Sequence, residues 1–370
     1  MWRFDQKKRK KIQLALLVTI SLFVSIAIIE FLLRSFFFID PPGERNKYFL
    51  KYAPSLFSRH VLAKEERIIN GWDNSTWYIN SKGYRGPSFP EIKEKGTIRI
   101  IFYGGSTVFN SGSPRGKDWP HQVEAILKSK GLENIEVINA GIPGHASFDS
   151  FGSFFSEGHT FNPDYVVLYN AWNDIKLFGE NDSLSKKIGP YISKMDPRIN
   201  YNNRMDGFLC EKSQLFVHLR EIYYWWKLQL GPEGSKQRLP KENITEIYQS
   251  ALDQYKINLQ MFVDLARNIK AEPVLMTQAR LVSPYNTSAH KNRIRYDYQL
   301  MDHDLLCEAF AKVDEITKEV AKEKNVLLID ASAHLTGKDL LFRDHSHLTN
   351  IGAEKLAELA AAKFVGWLNN

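Results

Sequence analysis

The sequence predicts an α/β domain built on a parallel five-stranded sheet, preceded by one membrane-spanning helix. Three observations predict it. An uncharged apolar stretch follows a basic N-terminus, short β-rich runs alternate with amphipathic helical stretches from residue 97 onward, and those runs are apolar almost throughout. Near-continuous apolar strands are buried on both faces, and alternating helices supply the covering layers.

The N-terminal element begins with Arg3, Lys7, Lys8, Arg9, Lys10 and Lys11 against a single acid, Asp5; Ile12 to Ile29 then carries no charge. Continued to Leu33, the stretch is long enough as a helix for a hydrocarbon core of about 30 Å. Glu30 and Arg34, four residues apart, can pair near its far end. A cleavable signal peptide would end its apolar core at a small-residue site. Here Ser25 and Ala27 lie inside the run, with Ile28 and Ile29 after them. Residues 1–11 therefore read as a cytoplasmic tail and 12–34 as a single-pass anchor in the lipid bilayer of the cell (inner) membrane. The positive-inside rule puts the remainder on the periplasmic or extracellular side.

The formal charge of +7 resides mostly in that tail, because the 43 basic and 41 acidic residues beyond it nearly cancel. A nucleic-acid partner would need basic residues spread over a face, so it is excluded. The two cysteines, Cys210 and Cys307, cannot make a disulfide scaffold, although they could pair with each other. No C-x-x-C and no Cys/His cluster suggests a metal. Asn-x-Ser/Thr triplets at Asn74, Asn181, Asn243 and Asn286 are compatible with export and carry little weight.

Residues 35–95 are loop-rich and aromatic, with Trp72, Trp77, Tyr78 and Tyr84, and read as a collar between anchor and core. The domain proper is expected over 96–370. Its strands are expected at 97–103, 135–140, 164–170, 272–278 and 325–330, with helices at 119–130, about 147–158, 246–269, 302–323 and 351–368. Five strands with intervening helices suit a three-layer, flavodoxin-like sheet in the order 2-1-3-4-5. Residues 175–245 interrupt the alternation and are expected to form a lid or substrate wall. Within them, the Tyr223–Trp226 cluster has the apolar spacing of a packed helix, and core or interface packing is expected for it rather than substrate stacking.

Ligands of open α/β sheets bind beyond the carboxyl ends of the strands. The first strand is followed by Gly104-Gly105-Ser106-Thr107, the second by Asn139-Ala140-Gly141-Ile142-Pro143-Gly144-His145, and the third by Ala171-Trp172-Asn173-Asp174. Before the last helix stands Asp344-His345-Ser346-His347. Together these can make an acyl-transfer site. Two glycines let the chain turn sharply and present Ser106; Asp344 and His347, three apart, can act as orienting acid and base. The backbone N–H groups of Ser106 and Gly144 and the Asn173 amide can converge as oxyanion donors. Trp172 is a candidate to line the pocket. His345 is the lesser candidate for the base, Asp174 is expected to fix the Asn173 loop, and Asp330, near His334, is expected to cap a turn.

These four segments, in order, resemble the conserved blocks of the SGNH (GDSL-like) hydrolase superfamily, over roughly 97–370 apart from the insertion. The chain looks like a membrane-anchored bacterial member. The resemblance implies Ser106 as nucleophile, Asp344 and His347 as its triad partners, Gly144 and Asn173 as oxyanion donors, and no cofactor or metal. Two blocks depart from the usual pattern: Gly105 stands where the family name has Asp, and Ala171 where Gly is usual. An α/β-hydrolase would want G-x-S-x-G, and Val108 occupies its last glycine position. The expected activity is a serine esterase removing acyl groups, O-acetyl above all, from an acylated carbohydrate or other ester. The rival readings are an O-acyltransferase with the same triad, a lipid esterase, and an inactive scaffold in a polysaccharide export complex.

Overall fold

The computed structural model describes residues 2–42, 50, 52–53, 55–70, 76–114, 116–179, 203–230 and 243–369. Asn74, Asn181, Trp72 and much of the 175–245 insertion lie outside them. A helix, α1 (Trp2–Phe36), opens the chain. Two antiparallel pairs follow, β1 (Tyr52–Ala53) with β2 (Val61–Leu62) and β3 (Arg67–Asn70) with β4 (Thr76–Ile79). The alternation then begins with β5 (Ile98–Gly104), α2 (Ser106–Phe109), α3 (Trp119–Ser129) and β6 (Ile135–Gly141). It continues through α4 (Ser147–Ser156), β7 (Tyr165–Tyr169) and α5 (Trp172–Ile175). After α6 (Arg204–Lys212) and α7 (Gln214–Leu230) come α8 (Gln249–Asn268), β8 (Glu272–Met276) and α9 (His303–Glu323). The chain closes with β9 (Leu327–Ile329), α10 (Ala331–Leu335) and α11 (Asn350–Leu368).

The chain divides into two compact units, residues 1–49 with 194–240, and residues 50–193 with 241–370. The larger unit holds a five-stranded parallel sheet in the order β6-β5-β7-β8-β9, which is the expected 2-1-3-4-5. Alternate side chains of the strands enter opposite cores. Ile101, Tyr103, Val166, Leu168 and Leu275 pack with Phe154, Phe262 and Phe310 of α4, α8 and α9. Ile100, Phe102, Val167, Val274 and Ile329 pack with Val123 of α3 and Leu356 and Phe364 of α11. The strand order reverses direction about β5, so the crevice expected for a ligand opens beyond the ends of β5 and β7.

Residues 50–95, expected as part of a collar, cluster with this unit. Leu62, Ile69, Trp77 and Ile79 form a third cluster with Phe109 and Ile142. Arg85 bridges antiparallel to Ile79 on one side and to Asn139 on the other, joining the β3–β4 hairpin to the edge of the parallel sheet. Its buried guanidinium donates to the carbonyls of Phe109, Asn110 and Ser113 and lies 3.5 Å from Asp118. One charge is thereby satisfied by three carbonyls at the end of α2 and in the turn after it, and by a buried acid.

In the smaller unit, α1 is the one helix among the described residues long and apolar enough to cross a membrane; its most apolar 18-residue stretch has mean hydropathy 2.6. No disulfide joins Cys210 and Cys307. Of the core or interface packing expected for the Tyr223–Trp226 segment, the core is not what forms: Tyr223, Trp225 and Trp226 are 58–61% exposed.

Candidate active site

Ser106 begins α2, directly after the end of β5. Gly105 is required at this turn by close approach, since a Cβ there would lie 2.8 Å from Asn173 Nδ2 and 2.9 Å from the His145 carbonyl oxygen. The Gly-Gly form of the first block is therefore a packing requirement of this site.

Asp344 and His347 sit in a loop closed by an antiparallel bridge between Phe342 and Leu348. Thr349 caps the following helix, its hydroxyl accepting from the Gly352 N–H at 3.1 Å. Asp344 Oδ1 accepts the backbone N–H groups of Ser346 (3.0 Å) and His347 (2.9 Å), which folds the D-x-x-H segment back on itself. The same carboxylate meets His347 Nδ1 at 2.8 Å through Oδ2. The other ring nitrogen, Nε2, lies 2.8 Å from Ser106 Oγ. With the proton on Nδ1, facing the carboxylate, Nε2 is free to accept from the serine. Burial works against the Asp344 charge, but the His347 hydrogen bond, the His347 and His345 rings and the backbone amide hold its carboxyl well below the ordinary range.

Asn173 Nδ2 donates to the His145 carbonyl at 2.9 Å. A primary amide has a second N–H, and the Asn173 amide nitrogen lies close to Gly105, the residue before Ser106. Ser106, Asn173, Trp172 and Gln278 line a narrow crevice, whose lining does not include Gly144. Gly144 has φ +89°, a conformation that favours glycine. Trp172 is 5% exposed; its ring stacks 3.9 Å from His345 and nearly parallel to Tyr298 at 6.3 Å. His345 makes no bond to Ser106, and burial, opposed by Asp344, pushes its imidazole down to about 4. Asp330 caps α10, accepts from Thr277 at 2.7 Å and pairs with Lys318, outside the crevice.

Asp344, His345 and His347 are the described residues whose donor atoms, within 4.8 Å of one another, could surround a metal ion. Two of the three direct those atoms at each other, which suits a proton-handling pair better than a cation.

Sequence reasoning missed two supports. Gln278, at the end of the fourth expected strand, accepts the Trp172 N–H at 2.7 Å and donates to Thr107 at 2.8 Å, coupling the first and third blocks. Its strand-end position was the available signal. Arg59 donates to the Gly144 carbonyl and to Asp149, and His60 Nε2 lies 3.0 Å from the Pro143 carbonyl oxygen. Together these brace the 143–145 loop from residues some 85 positions earlier, as the Arg59–Gly144 separation of 85 shows. No local pattern marks them.

Asp174 is buried and takes the Ser147 N–H at 2.9 Å and its hydroxyl at 2.6 Å, tying the third block to α4. Burial pushes its carboxyl up to about 7, against the Ser147 hydrogen bonds. A group with a raised folded-state value contributes stability that is complete below its unfolded value and is lost as pH rises through the folded one. Asp174→Asn keeps an acceptor for Ser147 and removes the titration. Urea melts from pH 4 to 8 should show the variant gaining on the wild type, by something like 3 kcal/mol at the alkaline end. Parallel curves would exclude Asp174 as the titrating group.

No protein-family model matches the chain. No curated protein matches it either. Solved structures that resemble it include the acetyl xylan esterase AlAXEase, with 18% identity over 72% of this chain and 98% of that one and a TM-score of 0.42. Axe2, an acetylxylan esterase from Geobacillus stearothermophilus, has 16% identity over 73% and 95%, with a TM-score of 0.42. A protein of the lipolytic G-D-S-L family from Desulfitobacterium hafniense DCB-2 has 14% identity over 72% and 99%, with a TM-score of 0.41.

Proposed function

We propose that this chain is a membrane-anchored serine esterase that removes short acyl groups, O-acetyl foremost, from a carbohydrate outside the cytoplasm. The observation that carries the reading is the continuous relay from Ser106 Oγ to His347 Nε2 at 2.8 Å and from His347 Nδ1 to Asp344 Oδ2 at 2.8 Å. In the proposed reaction His347 takes the Ser106 proton as Oγ attacks the ester carbonyl. The tetrahedral oxyanion receives hydrogen bonds from the Ser106 and Gly144 N–H groups and the Asn173 amide. His347 returns the proton to the leaving sugar oxygen, and a water activated by the same imidazole then releases the acid from Ser106. The location rests on the uncharged apolar stretch Ile12–Ile29 of α1 behind a basic tail.

Acetate release from a panel of O-acetylated glycans, with Ser106→Ala as control, tests the reading. Serine-dependent acetate release is expected. Acetyl groups appearing on a second sugar instead of in solution would make the enzyme a transferase; no serine-dependent turnover of any ester would overturn the proposal. Asn173→Ala should lower kcat by about 10²–10³ with little change in KM, because an oxyanion donor acts mainly in the transition state. A raised KM at unchanged kcat would make Asn173 a substrate-binding residue.

A further inference from the structure

The hairpin of α6 and α7 has its polarity inside out. On α7, Leu219, Ile222, Tyr223 and Trp226 recur at three- and four-residue spacing, so they form one stripe, with Trp225 beside it. All five are 56–61% exposed. Met205 and Phe208 on α6 are exposed as well. The opposite side of α7 buries Val217 and a charge, Arg220, whose guanidinium forks onto Asp206 at 2.9 and 3.0 Å. A helix facing water shows the reverse, and a contiguous apolar surface of this kind marks an interaction face.

The position of α7 names the occupant. Its N-terminus is bound to the far end of the apolar helix: Glu30 of α1 accepts the Gln214 N–H at 2.7 Å, the Leu215 N–H at 2.9 Å and the Ser213 hydroxyl at 2.9 Å. A carboxylate on free helix N–H groups is a charge-assisted cap. Arg34 pairs with Glu30 at 2.7 Å and donates to the Lys212 carbonyl at 2.6 Å. The Gln214 side chain clasps both the N–H and the carbonyl of Ile39. These bonds lie within one compact unit. They hold the start of α7 at the level where the 12–34 span leaves the hydrocarbon.

We propose that the exposed face of α7 lies in the outer-leaflet interface of the bilayer that α1 spans, with Tyr223, Trp225 and Trp226 among the headgroups. The inference rests on the proposed membrane span. Indole and phenol rings favour that layer because one edge is apolar and the other hydrogen-bonds water. The five apolar side chains enter the acyl boundary while the Arg220–Asp206 pair stays inside the hairpin, away from lipid. Glu30 then has a double use: it neutralises Arg34 at the edge of the span and sets where α7 begins.

The test uses the full-length protein in nanodiscs containing phospholipid brominated either close to the headgroup or deep in the acyl chain. Headgroup-proximal bromine should quench the wild type, and W225F/W226F should lose about half of that quenching, since interfacial indoles report the shallow layer. Tyr223→Trp, which adds an indole to the same face, should increase it, so the outcome does not depend on one variant folding. Leu22→Trp, within the span, should be quenched by the deep label. Deep quenching at position 22 with shallow quenching indifferent to positions 223, 225 and 226 would overturn the interfacial helix while leaving the span intact. That is also the result expected if a second copy of the chain covered the stripe. Absence of deep quenching at position 22 would remove the span and this inference with it.

Discussion

Ser106→Ala is expected to lower kcat by about 10⁶, and His347→Ala by a similar factor, because nucleophile and base act as one unit and either loss disables both. A fluorophosphonate probe should label the solubilised wild-type protein at Ser106 and nowhere else at a comparable rate. His347→Ala should abolish rapid labelling, since Nε2 is the one base within hydrogen-bond reach of Oγ among the described residues. His345→Ala should leave most of it: that ring stacks on Trp172 and makes no contact with the serine hydroxyl. Mass spectrometry of the labelled peptide decides the matter. Modification surviving in Ser106→Ala would sink the nucleophile assignment, and equal loss in both histidine variants would leave the base undecided.

Asp344→Asn is expected to lower kcat by about 10⁴ with the fold intact. The reason is the loop itself. Asparagine keeps an oxygen for the Ser346 and His347 N–H groups that Asp344 now accepts, so the turn survives. Its amide would donate to His347 Nδ1 where the carboxylate accepts, moving the ring proton to Nε2 and aiming a donor at Ser106. The imidazolium formed during the reaction would lose its counter-charge too. Thermal melting near the wild-type value together with the kinetic loss is the expected pair of results. Retention of more than a tenth of wild-type kcat would remove Asp344 from the relay.

The parallel sheet was legible in the sequence because each strand is a short run buried on both faces, and burial leaves a local signature. Ile100 to Tyr103 are all fully buried, alternating between the two cores, and read as an unbroken apolar run. The five expected strands and five long helices recur with ends shifted by a few residues, where caps set by single side chains decide. The strand order followed from the alternation, since consecutive parallel strands need helical crossovers. Ser106, Asp344 and His347 could be singled out because two requirements, a sharp turn after a strand and a three-residue acid–base offset, are local.

Tertiary structure alone decided the rest. Residues 50–95 read as a collar because their partners are remote: Arg85 joins Asn139, and Arg59 joins Asp149, 90 residues on. A side chain satisfied by distant carbonyls has no periodicity to betray it. Trp172 beside Asn173 looked like a pocket wall; it does line the crevice at Ser106, and only the fold shows that its ring also stacks on His345. The α7 aromatics had the spacing of a buried face, and spacing states only that residues share a side of a helix, not whether that side meets protein, water or lipid. By itself the sequence determined the elements, their order and the three candidate residues of the site, because hydrogen-bond periodicity and burial act within a few residues. Which face each helix turns outward, and which distant side chains brace the 143–145 loop, depended on contacts that exist only once the chain has closed on itself.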